Sequence, residues 1–488
     1  MNSIPISTSI LVLITIAAYF AVLYFISHLA GRKTDNAGFF TGNRKSPWYI
    51  VAFGTIGAAI SGVTFVSVPG MVAVSGFSYL QMVLGFAVGQ LIIAFILIPL
   101  YYKMNLVSIY EYLENRFGLS SYKTGAWLFF ISKMLGASVR LFVVCAVLQL
   151  LVFNPLHLPF ILNVCFTVGI VWVYTFRGGV KSVVWIDTLK TFCLIVSVGL
   201  TIYYIGKNLE GSMWSLVSDS PMSKTFFFDN INEKTFFWKQ FLAGVFTTIA
   251  ITGLDQDMMQ RTLSCKNFRD ARKNMITGGI LQIFINLLFL ILGVLLYVYA
   301  KNKIALPEKG DDVFPFLAMQ FSPVVGVLFI VGLISAAYAA AGSALTALTT
   351  SFTVDILESP KTKTENQVAS IRKKVHIGMA IVMAIAIFII NLLNNESVIQ
   401  TVYKVASYTY GPLLGMFIFG IFTKKAVRDR WVPLVVVASP VLCYILDVNS
   451  KVWFNGYEFS HERLILNALF TFLGLCLLIR KKQATSNF

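Results

Sequence analysis

Charged residues inside apolar stretches are the first candidates for chemistry in this sequence, because a charge there is costly unless it is paired. Asp187 and Lys190 are three residues apart in VVWIDTLKTF, so on a helix they share a face and can form an ion pair. Lys133 and Arg140 are seven residues apart and also share a helical face. Lys404 is the fourth basic residue of this kind. These residue types suit coupling, ligand binding or a structural ion pair, and snorkelling suits Lys133 better than Arg140.

Two of the apolar stretches contain helix-breaking residues. The stretch GTIGAAISGVTFVSVPG is interrupted by Gly54, Gly57, Gly62 and Pro69. A later stretch is broken at Thr252-Gly253 and runs into the acidic-amide cluster DQDMMQR. A broken helix at bilayer depth frees backbone carbonyls that can coordinate a cation, and a glycine-rich packing face is the alternative.

Residues typical of enzymes are not arranged for catalysis here. The four histidines are scattered near the ends of apolar stretches, and none of the six cysteines forms a C-x-x-C pair. Neither a metal cluster nor a nucleophile with an adjacent base is therefore predicted. We expect the cysteines to be packing residues and the protein not to be an enzyme.

The composition predicts an all-α polytopic membrane protein, since hydrophobic residues make up 57% of the 488 positions and charged residues 12%. The first apolar span is too long for a signal peptide and has no cleavage site, so we expect a mature helix. Thirteen apolar spans can be drawn, at residues 5–27, 48–72, 78–100, 124–152, 158–176, 182–206, 238–255, 274–300, 321–354, 375–394, 398–422, 430–447 and 462–479.

The charge distribution predicts the orientation of the chain. Its net charge is +17, and most of the 39 Lys and Arg fall in alternate loops, on one side of the thirteen spans. By the positive-inside rule this side is cytoplasmic, which places the N-terminus outside and the C-terminus inside. We therefore expect a multi-pass plasma-membrane protein that binds no nucleic acid.

The stretch from Ser335 to Asp355 is the most unusual of the apolar segments. Its first part, SAAYAAAGSALTA, consists almost entirely of small residues, which let neighbouring backbones approach closely. Such a helix is expected to face protein rather than lipid. It forms either a tightly packed bundle helix or the lining of an ion or solute site.

The two interrupted spans, the second and the seventh, stand five positions apart. This is the pattern of two inverted five-helix repeats with a binding site at their interface. The predicted organisation is a single transporter domain, residues 1–480, followed by a cytoplasmic tail, 481–488. Within it we place an extra N-terminal helix at 4–27, the two repeats at 48–207 and 238–423, and two C-terminal helices at 430–480.

The chain resembles the sodium/solute symporter family, which includes sodium-coupled sugar, iodide, proline and sialic acid transporters. The resemblance rests on AAISGVTF, TFRGGVKSVVWID, DQDMMQR and SALTALTTSFTVDIL, and covers about residues 5 to 480. It implies a LeuT-like fold of five plus five inverted repeats, with one helix before and two after. It also implies secondary transport by alternating access, in a protein that we expect to be a monomer.

The resemblance also implies an ion site, in which this chain departs from the family. Backbone carbonyls at Gly57, Ile60 and Ala336 match sodium ligands, but the two hydroxyl positions are Ala339 and Ala340 here. Ser343 survives at a neighbouring position, and Asp187 matches a carboxylate that assists a second sodium. Where the family often has glutamine, this chain has Lys190.

The loss of two oxygen ligands should weaken sodium binding severely, because a hard cation needs oxygens to replace its water. We hypothesise that the Lys190 ammonium takes the place of sodium, reaching the carbonyls of Gly57, Ile60 and Ala336. Asp187 would be the counter-charge, an arrangement that resembles some proton-coupled amino-acid transporters. The coupling ion is then a proton if Lys190 releases its proton, and transport is uncoupled if it does not. Sodium remains the ion that the family implies, and no other cofactor is expected.

For the solute, Arg140 matches a carboxylate-binding arginine of the sialic acid transporters. Ser61, Thr64 and Tyr79 match pocket positions of the same group. Four basic residues inside the spans face one clear acidic residue, so an anionic solute would supply the missing charge. We expect a small organic anion such as a carboxylate or an acidic sugar. A neutral sugar and a non-transporting substrate sensor are the alternatives.

Overall fold

The computed structural model describes residues 6–31, 35–60, 62–176, 179–301, 304–393, 398–457, 459 and 462–480. Within these ranges the ordered elements are helices, and extended pairing is limited to two isolated bridges, Ser46 with Cys265 and Val427 with Ile479. The predicted all-α class is confirmed.

Twenty-one α-helices can be numbered along the described residues. The first half of the chain contains α1 (Ile6–Gly31), α2 (Asn36–Thr41), α3 (Trp48–Ala59), α4 (Gly62–Ser75), α5 (Ser78–Ile92), α6 (Ile98–Lys103), α7 (Glu111–Arg116), α8 (Leu119–Leu148), α9 (Phe160–Thr175), α10 (Gly179–Lys207) and α11 (Met213–Ser218). The second half contains α12 (Phe237–Thr248), α13 (Gln256–Thr262), α14 (Phe268–Ala300), α15 (Gly310–Phe321), α16 (Pro323–Ser351), α17 (Ser359–Thr362), α18 (Glu365–Leu393), α19 (Val398–Phe422), α20 (Val432–Trp453) and α21 (Arg463–Leu477). Wider π turns at Ile93–Leu97, Gln149–Phe153, Ile249–Gly253 and Phe352–Ile356 continue α5, α8, α12 and α16.

All thirteen predicted spans coincide with helices. Seven helices of the described residues are long and apolar enough to cross a membrane, and two bent helix pairs each form one further span. The remaining four predicted spans contain the shorter apolar helices Leu13–Leu29, Phe160–Thr175, Tyr408–Phe422 and Arg463–Leu477. The chain is a multi-pass membrane protein, while thirteen as the number of crossings stays a prediction.

Both predicted interruptions are present as sharp bends. α3 and the described part of α4 meet at 59°, and α12 with its π turn meets α13 at 72°. Gly54 and Gly57, however, lie inside the continuous helix α3, and Pro69 lies inside α4. A Cβ at Gly57 would lie 2.0 Å from Oγ1 of Thr191 on α10, so this glycine serves close packing rather than the break.

The helix contacts divide most of the described spans into two groups. In the first group, α3, α4 and α5 each pack with α14, and α12 packs with α5. In the second group, α8, α9, α16 and α18 pack with one another. α10 packs against both α3 and α16, so it connects the two groups, and α13 continues the broken span that begins with α12 of the first group. The small-residue stretch lies in α16, where Ser335, Ala336 and most following side chains are buried against protein, as expected.

The contact between α5 and α12 depends on two glycines. A Cβ on Gly85 would lie 2.1 Å from the carbonyl oxygen of Phe241, and a Cβ on Gly244 would lie 2.2 Å from that of Met82. In both cases the opposing atom belongs to the backbone and cannot rotate away. The first group is therefore held together by backbone-to-backbone approach, as is common between membrane helices.

We expect Gly85→Ala to lower the free energy of unfolding by about 1–3 kcal/mol, because the added methyl group must displace the backbone of α12. Gly169→Ala on α9 is the matched control, since no described atom lies within 4 Å of the Cβ that it would add. Alanine also favours the helix, so this control should be neutral or slightly stabilised. Thermal unfolding of the two purified variants in detergent measures the difference. Equal stability of the two would contradict the close approach.

Candidate functional site

A network of six buried ionisable side chains surrounds the break between α12 and α13. Each of them is at most 7% exposed, so none is solvated by bulk water. α8 contributes one of them, α10 two, and α13 with its N-cap residue the other three. The three carboxylates and three basic groups are Lys133, Asp187, Lys190, Asp255, Asp257 and Arg261.

Asp255 is positioned by the break itself. A helix that begins inside the protein leaves its first N–H groups without intrahelical acceptors. Asp255 Oδ1 accepts from the N–H of Asp257 at 2.9 Å and of Met258 at 3.2 Å, so it caps α13. The hydroxyl of Tyr410, on α19, also donates to Asp255. Lys133 Nζ lies 3.1 Å from both carboxylate oxygens.

Asp257 joins α13 to α8 and to α16. Its Oδ2 lies 2.7 Å from Lys133 Nζ, and its Oδ1 lies 2.6 Å from Nη2 of Arg261, one turn along α13. The Ser343 hydroxyl on α16 donates to Oδ2 at 3.3 Å. This one carboxylate therefore connects α8, α13 and α16.

Asp187 and Lys190 form the predicted pair on α10, at 3.8 Å. Arg261 Nε lies 3.5 Å from the other oxygen of Asp187, and neither oxygen receives a hydrogen bond from the described residues. The Lys190 ammonium instead donates to the carbonyl of Tyr338 on α16 at 2.8 Å and to the Tyr174 hydroxyl at 3.2 Å. Lys190 thus ties α10 to α16.

The charges of this network balance, and this corrects two expectations from the sequence. Lys133 does not snorkel to the membrane surface, because it is buried between Asp255 and Asp257. In the sequence-based expectation, four basic residues of the spans have Asp187 as their one acidic counterpart. Asp255 and Asp257 are two further buried carboxylates beside the spans. A missing negative charge in the spans is therefore not an argument for an anionic solute.

Lys190 donates to a different backbone carbonyl from those that the sequence hypothesis names. The hypothesis places the ammonium on the carbonyls of Gly57, Ile60 and Ala336, whereas its backbone hydrogen bond goes to Tyr338, two residues after Ala336. No hydrogen bond from Lys190 to the three expected carbonyls is present among the described residues. α10 nonetheless packs directly on α3 and α16, the helices that carry those carbonyls.

The expected hydroxyl side of the ion site is apolar in this chain. Ala340 is buried in α16, and the side chain of Ala339 lies outside the described residues. The Ser343 hydroxyl lies 3.2 Å from the carbonyl of Ala340 as well as 3.3 Å from Asp257. Since a hard cation needs several oxygen ligands, these side chains fit sodium poorly.

The four residues predicted to contact the solute are placed on three helices. Ser61 lies outside the described residues, Thr64 is on α4, Tyr79 on α5 and Arg140 on α8, and the last three are partly exposed. α4 contacts both α5 and α8, so the three described residues lie on neighbouring helices.

The predicted cytoplasmic side of the network is closed by α2. Phe39 and Phe40 of this short helix are 1% and 6% exposed. Gln260 on α13 donates to the Phe40 carbonyl at 2.6 Å and to the Thr350 hydroxyl at 2.9 Å. α13 is thereby fastened to α2 and to α16 on this side.

Sequence reasoning did not assign Asp255, Asp257 and Arg261 to the site, although it identified DQDMMQR as a cluster after a break. A signal was available, because Lys133 needed an anionic partner and two aspartates followed a helix break. Nothing in the sequence indicated that Tyr410 donates to Asp255, since a tyrosine in an apolar helix is usually explained by packing.

Comparisons with known proteins agree with this architecture. Residues 39–429 match the model of the sodium:solute symporter family. The sodium/sialic acid symporter NanT of Aliivibrio fischeri is 25% identical over 469 residues, covering 92% of this chain and 89% of the relative. The sodium-coupled monocarboxylate transporter 2 of Bos taurus is 24% identical, covering 82% of this chain and 67% of the relative.

Among solved structures, the substrate-bound outward-open state of a Na+-coupled sialic acid symporter superimposes with a TM-score of 0.82 at 18% identity. The superposition covers 96% of this chain and 97% of that structure. The predicted LeuT-like fold is thereby confirmed.

We expect Lys190→Met to lower the free energy of unfolding by about 3–5 kcal/mol, because it leaves the buried Asp187 without one of its two counter-charges. The double variant Lys190→Met, Asp187→Asn should lose less, since the stranded charge is removed as well. Lys224→Met is the control, because its pair with Asp229 is exposed and contributes only about 0–1 kcal/mol. Equal losses for the single and double variants, measured by unfolding in detergent, would contradict the pairing.

Proposed function

Because the chain belongs to the sodium:solute symporter family, we propose that it is a secondary transporter of a small organic anion, an acidic sugar or another carboxylate. It moves this solute across the plasma membrane by alternating access of one site between two helix groups. The observation that carries the proposal is Arg140, a partly exposed guanidinium on α8, a helix that contacts α4 of the broken second span.

Arg140 differs from the other buried or half-buried cations of the spans. Lys133, Lys190 and Arg261 are each paired with a carboxylate of the network. No carboxylate among the described residues lies within 4 Å of Arg140. A guanidinium can bind a carboxylate through two parallel hydrogen bonds, so Arg140 is suited to an anionic solute.

The named relatives support the same class of solute. One is a symporter of sialic acid, an acidic sugar, and another is a transporter of monocarboxylates. Both solutes carry a carboxylate, which is the group that Arg140 would bind. Thr64 is on α4, which contacts α8, and Tyr79 is on α5, which contacts α4; both would contact the remainder of the solute.

For coupling, we propose that Lys190 supplies the positive charge that sodium supplies in the named relatives. Its ammonium is buried beside α3 and α16 and is balanced by Asp187. Ala339 and Ala340 offer no side-chain oxygen ligands for a sodium ion at this position. A proton on Lys190 would then be the coupling ion if it is released in the cycle.

Binding of sialic acid to the purified protein tests the solute class. We expect Arg140→Gln to weaken binding about tenfold to a hundredfold, because a hydrogen bond to a charged group contributes about 1.5–3 kcal/mol. N-acetylmannosamine, a neutral amino sugar, should bind both proteins equally weakly.

The matched control is Arg269→Gln, which removes an exposed arginine at the start of α14. If the neutral sugar binds as well as sialic acid and Arg140→Gln changes nothing, the solute is not recognised by its carboxylate. Binding without uptake into proteoliposomes would indicate a sensor rather than a transporter.

Uptake into proteoliposomes tests the coupling ion. At fixed membrane potential, we expect replacement of sodium by choline to change wild-type uptake less than about twofold, because the hydroxyl ligands are absent. The variant Lys190→Gln, Ala339→Ser, Ala340→Ser restores the side chains typical of the family and should become sodium-dependent.

An imposed proton gradient then separates the two remaining cases. Faster uptake with the gradient identifies a proton-coupled transporter, and unchanged uptake identifies uncoupled transport. Strict dependence of the wild-type protein on sodium would show that Lys190 does not replace the ion.

A further inference from the structure

Lys133 depends entirely on a neighbouring helix for its counter-charges. Its Nζ lies 2.7 Å from Asp257 and 3.1 Å from Asp255, and both carboxylates belong to the start of α13. Among the described residues, Lys133 has no other ion-pair or hydrogen-bond partner. Lys133 is 7% exposed, so bulk water does not solvate its ammonium in place of the two carboxylates.

The two carboxylates do not depend on Lys133 in the same way. Asp257 also binds Arg261 on its own helix, and Asp255 accepts from the backbone N–H groups that it caps. The hydrogen bonds from Ser343 and Tyr410 come from α16 and α19, which pack on α8, so they are not counted here. If α13 moved away from α8, the carboxylates would retain partners, whereas the Lys133 ammonium would lose both of its own.

Such a movement is expected in every transport cycle. Lys133 belongs to α8 of the second helix group, and α13 continues the broken span of the first. Alternating access in folds of this kind is a rocking of one group of helices against the other. The pair between Lys133 and α13 lies across that division, so it opens when the predicted cytoplasmic side opens.

Lys133 lies on the same face of α8 as Arg140, two turns towards the predicted cytoplasmic side, about 10 Å away at 1.5 Å per residue. Gly136 lies between them on this helix face, and no described atom is within 4 Å of where its Cβ would be. The helix surface at Gly136, between the two cations, is therefore not filled by a neighbouring side chain of the described residues. Tyr410 donates to Asp255, one of the two counter-charges of Lys133.

We propose that Lys133 is a second binding position for the anionic group of the solute, occupied after Arg140. When α13 swings away, the solute carboxylate takes the place of Asp255 and Asp257 on the Lys133 ammonium, and then leaves towards the cytoplasm. The proposal rests on the proposed transport of an organic anion. It assigns to Lys133 a role in release that is separate from recognition at Arg140.

The test measures binding from outside, uptake, and the apparent KM at the cytoplasmic face, with sialic acid in oriented proteoliposomes. The variant Lys133→Met, Asp257→Asn removes one charge of each sign, so the network stays balanced. We expect its affinity from outside to stay within about threefold, its uptake to fall about tenfold, and its KM from the cytoplasmic face to rise about tenfold. Lys133→Arg, which keeps the cation, should stay near wild type.

A second variant tests the path without touching a charge. Gly136→Val fills the open space at Gly136, between Arg140 and Lys133, and should reduce uptake while leaving thermal stability unchanged. Lys361→Met is the matched lysine control, because its pair with Glu114 is exposed on the predicted cytoplasmic side.

The alternative role for Lys133 is that of a simple latch between α8 and α13. A latch predicts faster or unchanged uptake in Lys133→Met, Asp257→Asn and an unchanged KM at the cytoplasmic face, and either result overturns the proposal. Uptake by the Gly136→Val variant at the wild-type rate would also overturn the proposal. If the wild-type protein moves no organic anion at all, the proposed function fails, and this outcome is distinct because it precedes any variant.

Discussion

The architecture depends on neutralising buried charges without water. In a protein interior of low dielectric constant, an isolated ammonium or carboxylate is so costly that it must have a counter-charge nearby. Three basic and three acidic side chains of this chain satisfy that requirement among themselves. Because the partners lie on α8, α10 and α13, the requirement fixes how these helices sit against one another.

The break before α13 makes this arrangement possible. A continuous helix would have satisfied its own backbone groups and presented only side chains to α8. The interruption instead exposes N–H groups that attract Asp255, and it brings Asp257 and Arg261 onto the first turns of a new helix. The broken span is therefore the source of the negative charge that Lys133 needs. The local break in the backbone thus produces the long-range ion pair.

The sequence predicted the helices and the breaks well, because apolar length and glycine clusters are local properties. It also predicted the pairing of Asp187 with Lys190, which three-residue spacing on one helix dictates. It failed for contacts between helices distant in sequence. Nothing in the spacing of residues shows that Lys133 meets Asp257, or that Lys190 reaches the Tyr338 carbonyl rather than that of Ala336.

The links of the network differ in what they would cost to break. Asp257 with Arg261 and Asp187 with Lys190 are pairs within one helix, which no rigid-body movement of helices separates. Lys133 with Asp257 and Lys190 with Tyr338 join different helices, and only such links can respond to a change of access. Since each carboxylate keeps an intrahelical partner, such a movement would leave Lys133 without a counter-charge and no carboxylate of the network without a partner. If the pair of Lys133 opens as proposed, an anion is the species that can stabilise the opened state, because it supplies the charge that Lys133 has lost.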